Sequence, residues 1–409
     1  MPMTLARRAA ALSIAPALAH HDMIAFDSGH AFPGILPDMT AAAELALTRY
    51  RSEALQYGPR PGLPEMREWV ASYLNADGAR VAMQNVLMTN GAKHAIELIC
   101  RLVLEEGDCV VVTAPTYYTA IPLFRCCGAS FIEVGQDEHG MRVAEIADVL
   151  EARQRSGDKL PKLIYNVPDF HNPTGVTMSR ARREALLELA ARYGIAVVED
   201  SPYRQIRFEG QTEPSLKALD EAGTVLNVGT FSKLLAPGLR VGWVIAPSDA
   251  VQRLALLKPD GGSSPLVQRT VLEFCKRGGV EEHTILARRT YAEHRDRMVQ
   301  ALQRHLPDAA FAVPEGGYYL WLTLPPHVDG DAVARAGAEE GVSIYPGSKF
   351  YANPGSGDRS APRNNLRLNY SHATLDEIDE GVRRVAKAYA RVAAESADTR
   401  EKAWLAPSA

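Results

Sequence analysis

Between residues 63 and 245, short apolar runs alternate with amphipathic stretches of helical period, the pattern of a mostly parallel sheet covered by helices. The runs Cys109 to Thr113, Leu163 to Val167, Ile195 to Glu199 and Val225 to Val228 are continuous and bounded by turn residues. They read as strands buried on both faces. The stretch from Ala92 to Leu104 is apolar nearly all round, with a narrow polar stripe at Lys93, Glu97 and Arg101, which predicts a helix lying on that sheet. Ser179 is the expected N-cap of another helix, with Leu186, Leu187, Ala190 and Tyr193 as its apolar face. After a Gly/Ser/Pro patch at 261–265 the pattern is helical through about His305. It then turns strand-like from Tyr318 to Leu324, helical from Ala332 to Glu340, and strand-like around Ile344 and Leu366, before a last helix from about Leu375 to Ala394. Residues 352–363, rich in Gly, Pro, Ser and Asp, read as a surface loop. The fold class expected is α/β: a three-layer αβα large domain with a mostly parallel sheet, plus a smaller α+β domain.

Composition narrows the partners. At 409 residues the chain is long enough for two lobes and a large core, and 46% hydrophobic with 23% charged residues excludes a disordered, collagenous or repeat protein. The formal charge of −4 comes with no polybasic stripe. A nucleic-acid or anionic membrane surface therefore has no electrostatic basis, and small molecules are the expected partners. Five unevenly spaced cysteines (Cys100, Cys109, Cys126, Cys127 and Cys275) read as reduced core thiols of a cytoplasmic protein. Arg7 and Arg8 before the run from Ala9 to Ala19 imitate an export signal, but the run is mostly Ala and is broken by Pro16. A short helix from Leu5 to about Leu12 suits it as well. No stretch reaches the roughly 20 apolar residues needed to span a bilayer.

Four polar elements fall at the carboxyl ends of expected strands, the edge where open α/β sheets bind ligands. Gly91, Ala92 and Lys93 open a helix, so their amides either face an anion such as a phosphate or simply make a tight turn. Asn172 follows the second of the four strand runs named above. Asp200 and Tyr203 follow the third; a carboxylate at the end of so dry a run needs a cationic partner unless it caps a helix. Thr230, Ser232 and Lys233 follow the fourth; a lysine in a dry cleft loses its proton more easily and can attack a carbonyl, and the plain alternative is a solvated surface lysine. An amine for a carbonyl, an acid for a pyridinium nitrogen, donors for a phenolate oxygen and a helix start for a phosphate are together what pyridoxal 5'-phosphate requires.

At these residues the sequence resembles the fold-type I pyridoxal-phosphate aminotransferases of class I/II, in particular the subgroup of 2-aminoadipate, aromatic and kynurenine transaminases. The resemblance covers nearly the whole chain. Thr230-Phe231-Ser232-Lys233, followed by Pro237-Gly238-Leu239-Arg240 and Gly242, is similar to the Ser-Phe-Ser-Lys signature. It implies that Lys233 carries the coenzyme and that Arg240, Thr230 and Ser232 hold its phosphate with the 91–93 turn. Pro168 to Gly175 resembles the Pro-x-Phe-x-Asn-Pro-Thr-Gly loop, which implies that Asn172 donates to the ring oxygen; His171 receives no role. Asp200-Ser201-Pro202-Tyr203 resembles the Asp-x-x-Tyr element, with Asp200 on the pyridine nitrogen and Tyr203 sharing the ring oxygen. Pro115-Thr116-Tyr117 implies a ring stacked on the coenzyme.

Tyr57-Gly58 to Gly62, with Leu63 and Arg67, resembles a segment whose tyrosine reaches the phosphate of a neighbouring subunit, which implies a homodimer with shared active sites. Leu366 to Ser371 resembles the Arg-Leu-x-x-Ser element, so Arg367 is expected to clamp the substrate α-carboxylate, with Asn172 and Gly29 beside it. The turns at 314–318 and 345–350 also resemble those of the family's small domain. The resemblance divides the chain into an N-terminal arm and part of the small domain at 1–62, a large coenzyme-binding domain at 63–284 and a C-terminal small domain at 285–409.

The implied activity moves the amino group of an L-amino acid to a 2-oxo acid, 2-oxoglutarate by resemblance, in a ping-pong scheme; Lys233, Asp200 and Tyr203 are the catalytic set. The same constellation serves β-eliminating lyases, oxidases and cyclases of the same fold type. A transcriptional regulator built on this domain would need about 70 to 100 residues ahead of it for a DNA-binding domain. No metal is expected. The entrance segment from Phe26 to Leu47 holds Asp27, His30, Asp38 and Glu44 but no Lys or Arg, which predicts neutral, aromatic or cationic donors over dicarboxylic ones.

Overall fold

The computed structural model describes residue 3 and residues 22–259, 261–353 and 362–405, with side chains up to residue 397. The export-like run, the short helix expected near Leu5 and most of the loop expected at 352–363 lie outside the described residues.

Seven strands form the main sheet: β1 (Val86–Thr89), β2 (Cys109–Thr113), β3 (Ser130–Val134), β4 (Leu163–Asn166), β5 (Ala196–Asp200), β6 (Val225–Thr230) and β7 (Gly242–Ile245), in the order β1-β7-β6-β5-β4-β2-β3. All neighbours are parallel except β7, which runs antiparallel to both β1 and β6. Every residue of β1, β2, β4, β6 and β7 is buried, which is why those runs are apolar without alternation, while β3 at the edge is half-exposed. Successive residues still serve opposite layers. Leu87, Val110, Tyr165, Val198 and Val244 face one core. Val86, Met88 and Ile245 face a second, and Val111, Ile164 and Val197 a third.

The helix Ala92–Val103 lies on the sheet as expected, burying Ala95, Ile96, Leu98, Ile99 and Cys100 and pairing Arg101 with Glu97 at 2.6 Å on its wet side. Ser179 sits at the N-cap of the helix Arg180–Tyr193, but its side chain makes no capping bond. The buried face is Arg183, Leu186, Leu189 and Ala190 rather than the stripe through Leu187 and Tyr193, because Arg183 turns inward to Asp169 at 2.8 Å. The long helical pattern toward His305 is two helices, Pro265–Lys276 and Gly279–His305, broken at Gly278 in the left-handed conformation (φ +77°). The division expected between residues 284 and 285 falls inside the second of these. The last helix continues to Leu405, beyond the expected end at Ala394.

A smaller sheet places Asn365–Asn369 between Tyr319–Thr323 and Tyr345–Pro346, all antiparallel. The N-terminal Ile24–Ala25 pairs in parallel with Val342–Ser343, which ties the arm to this layer. The first core is continuous from the main sheet into the C-terminal layer, where Tyr291, Met298, Leu320, Leu366 and Val385 join it. All five cysteines are free. Cys100, Cys109 and Cys275 are buried, but Cys126 is exposed, so the core reading fails for it: it ends the short helix Ile121–Cys126 on the solvent side. Among the described residues no helix is long and apolar enough to cross a membrane, and no cluster of His, Cys, Asp or Glu could hold a metal ion.

Candidate active site

A cavity of about 570 Å³ opens at the carboxyl ends of β1, β4, β5 and β6, where the segment 27–30 and the strand Asn365–Asn369 reach over them. Every expected site residue lines it except Gly91, which backs Arg240, and Tyr57, which is 92% exposed on the single chain and stands apart from the others.

One end is built for an anion. Gly91, with φ +86°, caps the helix Ala92–Val103, and a Cβ there would lie 2.7 Å from Arg240 Nη2, so only glycine fits. Arg240 is itself left-handed (φ +51°) and donates from Nη2 to the Asn90 carbonyl at 2.9 Å. The Thr230 hydroxyl lies 2.9 Å from Ser232 Oγ and accepts from the Ser232 amide at 3.1 Å. A helix start, Lys93, Arg240 and two hydroxyls thus converge.

Toward the centre, Asp200 ends β5 at 2% exposure. Among the described residues no cation forms an ion pair with it, as a buried acid was expected to require. Its Oδ2 accepts from Tyr165 at 2.7 Å, and Oδ1 has no partner. Burial pushes its carboxyl up to about 6, against the opposing pull of the Tyr165 hydrogen bond and the Lys233 charge. Lys233 follows β6 and donates from Nζ to the Gly29 carbonyl at 2.5 Å. Burial lowers its pKa below the ordinary lysine range, and the nearby charges of Arg367, Lys93 and Arg240 act in the same direction. The Tyr203 hydroxyl donates to that of Tyr319 at 3.3 Å.

At the far side Arg367 reaches in from the middle strand of the small sheet. It donates to Asn172 Oδ1 at 3.0 Å and to the Asp27 carbonyl at 2.6 Å, while its Nε and the Asn172 amide nitrogen lack partners. Of the four polar residues expected at the entrance, Asp27 and His30 line the cavity and Asp38 and Glu44 do not; Asp38 accepts from the Thr40 amide instead. His171 is buried between Thr113 and Thr174, each 3.0 Å away, and burial lowers its pKa to about 3, which keeps it neutral.

Tyr165, Tyr319 and Tyr345 escape sequence reasoning. Tyr165 lies in an apolar run and meets Asp200 only because β4 and β5 pair Tyr165 with Val198, leaving Asp200 as its diagonal neighbour. Tyr319 falls in a run that reads simply as strand, and the turn that opens with Tyr345 reads as a fold signal alone.

The residues fit the expected coenzyme. The unpartnered Asp200 Oδ1 suits a protonated ring nitrogen, the unpartnered Asn172 amide suits a ring oxygen, the Gly91 corner suits a phosphate, and a deprotonable amine lies between them. Residues 22–385 match the family of class I and II aminotransferases. The chain is 34% identical over 348 residues to aromatic-amino-acid aminotransferase 1 of Thermococcus litoralis, covering 83% of this chain and 81% of that one. It is 34% identical over 373 residues to the 2-aminoadipate transaminase of Thermus thermophilus, covering 90% of each. A crystal structure of kynurenine aminotransferase from Pyrococcus horikoshii superposes with a TM-score of 0.89 at 32% identity, over 95% of this chain and 97% of that one. An α/β fold of this type, a cavity that meets each need of pyridoxal phosphate and a family match spanning nearly the whole chain lead to one conclusion: the protein belongs to the class I and II aminotransferases.

Proposed function

We propose that this aminotransferase passes the amino group of a neutral, aromatic or cationic L-amino acid to 2-oxoglutarate in two successive half-reactions of a ping-pong scheme. The observation that carries the reading is the ring of unfilled buried polar atoms, Asp200 Oδ1, Asn172 Nδ2 and Arg367 Nε, around the Lys233 amine. Bound pyridoxal phosphate supplies an electron sink for the pair left behind when the substrate Cα loses its proton.

The chain's own residues do the rest. Lys93, Thr230, Ser232, Arg240 and the amides after Gly91 hold the phosphate, and Lys233 Nζ holds the coenzyme until substrate displaces it. Tyr117 would pack against the ring, Asn172 and Tyr203 would donate to its oxygen, and Asp200 would favour a protonated ring nitrogen by offering it an anion in a dry site. Arg367 presents two parallel N–H donors to the substrate carboxylate, bringing Cα to Lys233. The amine of Lys233, made less basic by burial, would serve as the base for the Cα proton and as its carrier. Donor preference follows from the entrance, where His30 is the only basic side chain among the described lining residues of the segment 27–30. The same reading makes the protein a cytoplasmic homodimer in which Tyr57 serves the partner's phosphate, and it keeps the divisions at 62/63 and 284/285.

Incubating the holoenzyme with a panel of amino acids and no acceptor tests this by absorbance. A single stoichiometric burst of oxo acid is expected, restored by 2-oxoglutarate. Continuous release of ammonia or peroxide, or strong preference for glutamate or 2-aminoadipate as donor, would refute it. Lys233→Ala is expected to lose both turnover and the coenzyme's bonded absorbance.

A further inference from the structure

The segment from Tyr318 to Trp321 sends one side chain into the cavity that the reaction scheme leaves unused. Tyr319 is 3% exposed, and it lines the site. The register of the small sheet explains its setting: Arg367 lies opposite Trp321 on one side and Tyr345 on the other, with Tyr319 its diagonal neighbour. The guanidinium carbon therefore rests 4.1 Å from the Tyr319 ring centre, closer than to Tyr345 at 4.9 Å. The other end of the same side chain reaches the proton-transfer centre. A Cβ built on Gly29 would lie 2.6 Å from the Tyr319 hydroxyl and 3.3 Å from Lys233 Nζ, so both atoms crowd the same bare glycine. The Tyr203 hydroxyl also lies 3.3 Å from that of Tyr319.

We propose that Tyr319 is a positioning residue that couples the carboxylate clamp to the proton-carrying amine. Its ring face seats Arg367, and its hydroxyl oxygen orients Lys233 Nζ and favours the protonated form of that nitrogen. The proposal rests on the roles given above to Lys233 and Arg367. The surroundings leave this task to Tyr319. Lys93, Arg240 and Arg367 present positive charge to the amine, and Asp200 is committed to the ring nitrogen. Asp27 and His30 come from the entrance segment, and Tyr117 lines the same cavity. Tyr318 packs its ring 5.7 Å from Nζ but spends its hydroxyl on the Lys233 carbonyl at 2.6 Å. The Arg367 and Lys233 charges overcome burial and pull the Tyr319 hydroxyl below its usual pKa, as an oxygen facing cations requires.

Holoenzymes carrying Tyr319→Phe and Tyr319→Leu separate the two functions. Each is compared with wild type by kinetics with one good donor across pH, and by pH titration of the coenzyme's absorbance without substrate. Phe keeps the ring: kcat is expected to fall about tenfold and the absorbance midpoint to move to lower pH, with KM within about twofold. Leu removes the ring as well, and KM is expected to rise about tenfold further. An unchanged kcat and midpoint in Tyr319→Phe would overturn the proposal, as would equal KM values for the two variants. Absence of turnover in wild type would instead sink the scheme on which it rests.

Discussion

Asp200 shows what one buried atom can report. A carboxyl whose pKa is about 6 in the folded chain and near 4 when unfolded costs nothing below pH 4. The cost grows as pH rises through that interval and reaches about 3 kcal/mol above pH 6, unless a cation meets Oδ1. Coenzyme-free Asp200→Asn is therefore expected to melt higher than the coenzyme-free parent above pH 6, with the difference gone below pH 4 in thermal scans, while the reconstituted variant is nearly inactive. A parent melting temperature that is flat over this range would contradict it. Lys233, Asp200 and Asn172 were legible in the sequence because polar residues just past dry strands have few structural excuses, whereas Arg367, in the middle of the strand Asn365–Asn369, came from the family resemblance alone. Tyr165 and Tyr319 were not, because a phenol inside an apolar run looks like core until strand register shows what its oxygen meets.

The loop after β4 shows how a neighbouring element fixes a site. Asp169, three residues before Asn172, is held by Arg183 at 2.8 Å and by Arg204 at 3.2 Å, with Arg204 also bound to Asp77. Removing the acid takes the counter-charge from the buried Arg183 and leaves Arg204 with Asp77 alone, so Asp169→Ala is expected to lose about 3–5 kcal/mol in chemical denaturation. Tight coenzyme binding should be lost with it as Asn172 drifts; a loss below about 1 kcal/mol would contradict the network. The four runs named from the sequence end within two residues of β2, β4, β5 and β6 because burial on both faces leaves an unbroken apolar signature, whereas β1, β3 and β7 were not picked out. The break at Gly278 and the inward turn of Arg183 were hidden, since helical period continues across the former and an arginine normally marks the wet face.

At the scale of the assembly, Tyr57 and Gly91 are the two expected site residues that do not line the cavity of the single chain; Gly91 backs Arg240, whereas Tyr57 is exposed. Co-expressing Tyr57→Ala with Lys233→Ala is expected to restore activity beyond that of either variant alone, because one site of each mixed dimer would then carry both native residues. Sedimentation should report two chains per particle, and mixtures no more active than Tyr57→Ala would argue against sharing. The two-lobed plan was visible in the alternation of periods, but the continuity of the first core from β1 to the final helix was not. That seamless interior has a practical consequence. A gene cut at codon 284 would split the helix Gly279–His305 and divide this one core, leaving Leu87, Val110 and Val198 on one fragment and Tyr291, Leu320 and Leu366 on the other, each an open greasy wall. Expressed apart, both halves should go to the pellet.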